Sequence, residues 1–98
     1  MPQWYLYIIR TGDGSLYTGV ATDVNRRLAE HRAGGRRCAR CLRGRGSLRL
    51  VYKRRLGSLS LALRAERCIK KKRKPEKERI VQSNPGVGKL IARLGIEL

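Results

Sequence analysis

Trp4-Tyr5-Leu6-Tyr7-Ile8-Ile9-Arg10-Thr11-Gly12-Asp13-Gly14-Ser15-Leu16-Tyr17-Thr18-Gly19-Val20 is the stretch whose reading decides the fold. Trp4 to Ile9 is an unbroken run of aromatic, β-branched and other apolar side chains, the composition that suits a pleated and well-covered strand. Thr11-Gly12-Asp13-Gly14 is turn chemistry, and Leu16 to Val20 supplies a second strand. Strand, tight turn, strand is the result.

Beyond the second strand, Thr22 and Asp23 offer side-chain oxygens to cap a helix over about 23–33. There Val24 and Leu28 recur at a four-residue interval with Ala29 beside them, until Gly34-Gly35 stops it. Gly35 to Gly46 is glycine, arginine and cysteine with little apolar content; it reads as an unburied basic loop with room for one helical turn. Leu48 to Lys53 gives a third strand. Ser58 or Ser60 then caps a second helix that carries Leu59, Leu61, Ala62, Leu63, Ala65 and Ile69 and runs to about Arg73. Pro75 ends that helix and suits the first turn of a short one over 75–82, where Glu76 and Glu78 sit at the positive end of the helix dipole. After the turn Asn84-Pro85-Gly86, the helical spacing of Val87, Leu90, Ile91 and Leu94 predicts a last helix, ended by Gly95, that packs its apolar stripe on the body. The order predicts one α/β domain: a small three-stranded sheet flanked by helices.

A chain of 98 residues has room for one modest core. Its 24 Lys and Arg against 7 Asp and Glu give a net charge of +17 and a pI near 11.3, which calls for a polyanionic partner. Nucleic acid fits this best; a ribosomal role or an anionic membrane surface shares the same composition. No apolar run approaches the length of a membrane span, and Met1-Pro2-Gln3-Trp4-Tyr5 lacks the marks of a secretion signal, so a cytoplasmic protein is expected. Three cysteines, an odd number, suit reduced thiols there.

Tyr5-Leu6-Tyr7 and Tyr17-Thr18-Gly19 on successive strands, Arg27 ten residues past Tyr17, His31 one helical turn later and Glu66 on the second helix form an ordered set. In this order the chain resembles the GIY-YIG nuclease family, with Tyr5-Leu6-Tyr7 standing for Gly-Ile-Tyr and Tyr17-Thr18-Gly19 for Tyr-Ile-Gly. The resemblance covers residues 4 to about 79 and is nearest to its short bacterial stand-alone branch. It implies an antiparallel sheet in a single domain, with a core at about 4–79 and a C-terminal helical extension at about 80–98. It also implies a metal-dependent endonuclease acting on DNA, in repair or processing. In that role Tyr7, Tyr17, Arg27, His31 and Glu66 are catalytic, and Glu66 holds one Mg²⁺ or Mn²⁺. The alternative is a catalytically weak or inactive nucleic-acid-binding module of the same fold, suggested by the altered first motif and by Val20 where some branches carry lysine.

The residues have physical readings of their own. Glu66 shares three- and four-residue steps with Leu59, Ala62, Leu63 and Ile69, which puts a carboxylate on a core-facing stripe. There it needs an arginine in a buried salt bridge or a divalent ion, and Mg²⁺ tolerates one carboxylate with waters and phosphate oxygens. Strand tyrosines usually pack with a wet hydroxyl; beside Arg27 and a metal, their phenols are expected to acidify towards general-base work, Tyr17 ahead of Tyr7. Arg27 either points at the scissile phosphate or is a solvated helix arginine. His31, on the same helix face, shuttles protons, contacts phosphate or packs as a neutral ring. Gly19 allows close approach of phosphate or of a strand end. Asn84 is the one late asparagine available for the family's terminal polar residue and reads more simply as a turn former. Cys38 and Cys41, with Cys68 and His31, are conceivable zinc ligands, but free thiols are the simpler expectation. The loop arginines Arg36, Arg37, Arg40, Arg43 and Arg45 and the run Lys70, Lys71 and Lys72 are expected to grip phosphates, of DNA more than RNA, without reading sequence.

Overall fold

Four consecutive side chains of the first strand, Leu6, Tyr7, Ile8 and Ile9, are each at most 1% exposed in the computed structural model, which describes all 98 residues. The cause is position. Strand β1 (Trp4–Thr11) lies between β2 (Leu16–Ala21) and β3 (Leu48–Gly57) in an antiparallel sheet of order β2-β1-β3. Successive side chains of a central strand point to opposite faces, so continuous burial requires cover on both.

Leu6 and Ile8 enter the larger core with Tyr52 and Leu56 of β3. Ala62, Ala65 and Ile69 of α2 (Leu59–Lys70), Ile80 of α3 (Lys74–Ser83), and Leu90 and Leu94 of α4 (Val87–Leu94) complete it. Tyr7 and Ile9 enter a second core with Ala21 of β2, Val24 and Leu28 of α1 (Val24–Ala33), Cys38, Leu42 and Leu48. The expected three-stranded antiparallel sheet flanked by helices in one α/β domain is what the structure has. No helix is long and apolar enough to cross a membrane.

Several local expectations change. Against the expectation of an unburied loop over 35–46, Cys38 and Leu42 are 5% and 3% exposed. The face of β1 that carries Tyr7 and Ile9 needs more apolar cover than α1 gives, and the loop supplies it around one 3₁₀ turn at Arg40–Leu42. On α2 the core face is Ala62, Ala65 and Ile69, whereas Leu59 and Leu63 are exposed. The stripe assigned to Glu66 is therefore not core-facing throughout. β3 runs on past Lys53 to Gly57. α2 ends at Lys70 rather than near Arg73, because Arg73 is extended (φ −75°, ψ 159°) and caps α3, with Pro75 in its first turn.

The turn Asn84-Pro85-Gly86 forms as read, with Asn84 in the left-handed region at φ 50°. Tyr52 Oη and Arg54 Nε both donate to the Pro85 carbonyl, at 2.7 and 2.9 Å, and tie α4 to β3. A two-pronged ion pair, Arg10 to Glu78 at 2.6 and 2.8 Å, fixes α3 against the end of β1.

Thr18 carries the one fault in the packing. It is 3% exposed between Leu16 and Val20, which turn to the larger core, and its hydroxyl has no partner. An unsatisfied buried hydroxyl costs about 1–3 kcal/mol. Thr18→Val, which keeps the shape and removes the hydroxyl, is expected to stabilise the protein by about 1 kcal/mol. For a domain of this size that raises the melting temperature by roughly 4–8 °C. An unchanged or lower melting temperature by calorimetry would show that the hydroxyl is satisfied.

Candidate active site

The β1–β2 register places Tyr7 opposite Gly19 and Ile9 opposite Tyr17, so both tyrosines stand on the face of the second core. Their ring centroids are 6.3 Å apart. A Cβ on Gly19 would fall 2.4 Å from Tyr7 Oη and 2.5 Å from its Cζ. The close approach that Gly19 permits is thus that of the Tyr7 ring, which lies across β2.

Helix α1 begins where Asp23 accepts the Arg26 amide at 3.0 Å, and it ends on Gly34 in the left-handed region. These two ends hold Arg27 and His31 one turn apart, facing the sheet. His31 is 2% exposed. Its Nδ1 accepts the Ala39 amide at 3.2 Å, and its Nε2 lies 3.0 Å from Tyr7 Oη. Because a backbone N–H only donates, neutral His31 carries its proton on Nε2 and gives it to the Tyr7 oxygen. Burial, and then the charge of Arg27, pull the His31 pKa below its usual 6.5, so the neutral ring prevails at neutral pH.

Burial acts on the phenols as well. Tyr7 has its pKa raised first by burial and then by Tyr17; Tyr17, which is half-buried, has its own raised by burial and then by Cys41. Arg27 pulls both down and is outweighed. The expectation that cationic neighbours acidify these tyrosines is corrected accordingly: the low polarity around them is the stronger effect in the protein by itself.

Arg27 is itself held. Its Nη1 donates to Glu30 at 3.2 Å and to the Arg37 carbonyl at 2.5 Å. Glu30 also binds Arg37 at 3.1 Å and Arg26 at 3.8 Å, so one carboxylate gathers three guanidiniums. Glu30 belongs to no motif in the sequence; the signal for it is its place as the one acid of α1, three and four residues after Arg27 and Arg26.

Glu66 has a side chain 19% exposed and pairs with Lys70, one turn on, at 3.5 Å, rather than with a buried arginine. Lys70 Nζ stands 5.9 Å over the Tyr17 ring, and the Glu66 charge pushes both phenols upward. Glu66 is therefore in electrostatic reach of both tyrosines. No three His, Cys, Asp or Glu side chains gather as a metal cluster; the three cysteines are free, and both His31 nitrogens are engaged. The conceivable zinc set is not assembled. A lone carboxylate does fit Mg²⁺ or Mn²⁺, hard ions that complete their shells with water and phosphate oxygens.

The five loop arginines are exposed, and Arg45 borders a cavity of about 250 Å³ shared with Tyr17, Cys41 and Leu42. Arg37, Arg43 and Arg45 are tied to Glu30, the Gly35 carbonyl and Asp13. Arg36 and Arg40 are free of such bonds. Lys70 and Lys71 are exposed, and half-buried Lys72 pairs with Glu76 at 3.5 Å. Asn84 binds Arg54 through its Oδ1 at 2.8 Å and serves the turn.

A small antiparallel sheet presenting two tyrosines to an arginine and a histidine on the following helix, with one glutamate beyond, defines the class: a domain with the architecture of the GIY-YIG proteins. The GIY-YIG catalytic domain matches residues 3–79, and the chain belongs to that family. It is 47% identical over 94 residues to the UPF0213 protein YhbQ of Escherichia coli (strain K12), covering 96% of this chain and 92% of the relative. It is 48% identical, with the same coverage, to a UPF0213 protein of Citrobacter koseri. The solution NMR structure of the UPF0213 protein BH0048 from Bacillus halodurans superimposes with a TM-score of 0.56 at 36% identity, over 97% of this chain and 99% of that one. The family is generally one of nucleases, which makes nucleic acid the substrate class.

Proposed function

We propose that this chain is a metal-dependent endonuclease that hydrolyses phosphodiester bonds of DNA in the cytoplasm, during repair or processing of damaged or structured DNA. The observation that carries this reading is the convergence of Tyr7, Tyr17, Arg27 and His31 on one face of the sheet with Glu66 within electrostatic reach. Water attacks phosphorus in line and the opposite P–O bond breaks. Tyr17, the more exposed phenol, takes the proton of the water in its phenolate form, and the departing oxygen takes a proton from solvent. Tyr7, fixed by the His31 Nε2 proton, orients Tyr17, and the guanidinium of Arg27 stabilises the charge that builds on the phosphoryl oxygens. Glu66 would hold the divalent ion, which when bound supplies Lewis-acid charge and offsets the upward push of the carboxylate on the phenols. Arg36, Arg37, Arg40, Arg43, Arg45, Lys70, Lys71 and Lys72 contact DNA phosphates.

The raised phenol pKa values favour a second reading, a weakly active or inactive nucleic-acid-binding module. One assay separates the two: plasmid, single-stranded and branched DNA with Mg²⁺ or Mn²⁺, comparing the wild type with folded Glu66→Ala and Tyr17→Phe. Both substitutions are expected to slow cleavage by at least about 100-fold, the usual scale for loss of a general base, while binding in EDTA stays within a few-fold. Binding without cleavage on any substrate would establish the module; cleavage indifferent to both substitutions would remove Tyr17 and Glu66 from the mechanism.

A further inference from the structure

The net charge of +17 is more than the face around Tyr17 uses, and part of the excess surrounds a separate cavity. This cavity, about 650 Å³ and open to solvent, lies between α3 and α4 on the side of the larger core. Its polar wall is Lys72, Glu76, Arg79, Gln82, Ser83 and Arg93. Lys72 is offset by Glu76 at 3.5 Å, whereas Arg79 and Arg93 have no carboxylate partner. Arg93 is nevertheless held in place: its Nη1 donates to Ser83 Oγ at 2.8 Å, and Ser83 Oγ donates to the Arg79 carbonyl at 2.6 Å. Two guanidiniums without counter-charges, one of them held by a hydrogen bond, form a receptor for anionic oxygens.

The basic run links this cavity to the candidate active site. Lys70 Nζ stands over the Tyr17 ring at 5.9 Å, Lys71 is exposed on the turn between α2 and α3, and Lys72 is already in the cavity wall. Lys70, Lys71 and Lys72 therefore stand in sequence between Tyr17 and the cavity that Arg79 and Arg93 line, with Glu66 and Glu76 offsetting the first and the last of them. The cavity has the volume of a small-ligand pocket, within the range of about 300–1,000 Å³, and cannot enclose a duplex. It contains no aromatic side chain on which a base could stack, so what it recognises is backbone charge.

We infer that the α3–α4 cavity is a second nucleic-acid site, which binds a single-stranded phosphodiester chain running from the candidate active site over Lys70–Lys72 to Arg79 and Arg93. The direction of that path rests on the endonuclease reading; the cavity's affinity does not. The test is fluorescence anisotropy in EDTA with a single-stranded DNA 15-mer and a blunt duplex of the same length. It compares the wild type, Arg79→Gln/Arg93→Gln, Arg79→Gln alone, and Arg49→Gln/Arg55→Gln as a charge-matched control on β3. Arg79 makes no side-chain bond, so its single variant keeps the fold intact if loss of the Arg93–Ser83 bond disturbs the double one.

The cavity pair is expected to lose about tenfold in single-strand affinity, with a salt slope shallower by about 1 to 1.5, since each lost single-strand phosphate contact removes roughly 0.7. Duplex affinity and the control pair should change less than about twofold. Equal losses on duplex and single strand, an equal loss in the control pair, or an unchanged single-strand slope would overturn the inference. A wild type that binds neither probe would overturn this inference and the endonuclease reading together.

Discussion

Replacing Arg27 with alanine is expected to lower the cleavage rate by about 100- to 1,000-fold, the usual cost of removing one preorganised donor to a developing oxyanion. Two effects combine. The guanidinium that would meet the phosphoryl oxygens is lost, and so is the charge that pulls the Tyr7 and Tyr17 phenols down against burial. Both phenols then rise further, so the alkaline rise of the rate moves to still higher pH in the variant. Arg27→Lys separates these effects. It keeps the charge and much of the pH profile, but where the guanidinium holds Glu30 and the Arg37 carbonyl through Nη1 and keeps further N–H groups for phosphate, lysine has a single nitrogen for both tasks, so most of the rate loss remains. The pH–rate profiles of the three proteins, with DNA affinity measured in EDTA, are the check. DNA binding should fall only a few-fold, because Arg27 is one cation among 24. A profile that falls uniformly without shifting would separate Arg27 from the phenols and leave it a phosphate contact only.

Arg27 is also where the sequence is most and least readable. Its position was legible because a strand, a glycine and a capped helix are rigid spacers: Tyr17, Arg27 and His31 have their separations set by β geometry and the 3.6-residue turn. The hairpin, the Asp23 and Ser58 caps, the Pro75 helix start and the apolar stripe of α4 are local signals of the same kind. Its surroundings were not legible. Glu30 gathers Arg26, Arg27 and Arg37, and the last of these comes from a loop whose course is set by the apolar demand of a sheet face far away in sequence. Cys38 and Leu42, sparse apolar residues among glycines and arginines, show no periodicity, yet they roof the second core.

The phenols illustrate the same limit. Adjacent cations are visible in a sequence, so acidified tyrosines were expected. Burial is a property of the whole fold, and here it dominates. Likewise α2 shows leucines at helical spacing, but its sheet-facing side is Ala62, Ala65 and Ile69, and the two alanines let the helix lie close to the strands. Leu59 and Leu63 are turned away from that side and lie at the surface.

Gly19→Ala is expected to be the most damaging single methyl addition in the chain. Its backbone is not in the left-handed region, so alanine would suit the strand conformation itself. The obstacle is Tyr7, whose Oη, Cζ and Cε1 lie 2.4, 2.5 and 3.0 Å from where the new Cβ must stand. The Tyr7 ring is 1% exposed and bonded to His31, so it cannot swing aside as an exposed side chain would. Overpacking of this kind costs about 1–3 kcal/mol, and this contact belongs at the upper end. The melting temperature should drop by on the order of 10–20 °C. A second substitution assigns the cause: Tyr7→Leu removes Oη, Cζ and Cε1, the three atoms that collide, and keeps an apolar side chain in the second core. In that background Gly19→Ala should cost less than about 1 kcal/mol, leaving a coupling energy of about 2 kcal/mol in the double-mutant cycle. Equal costs in both backgrounds would mean that the strand, and not the ring, requires glycine. If the coupling appears, the glycine of the second motif and the tyrosine of the first are one steric unit: a residue with no side chain on β2 exists so that the phenol on β1 can lie across it and meet His31.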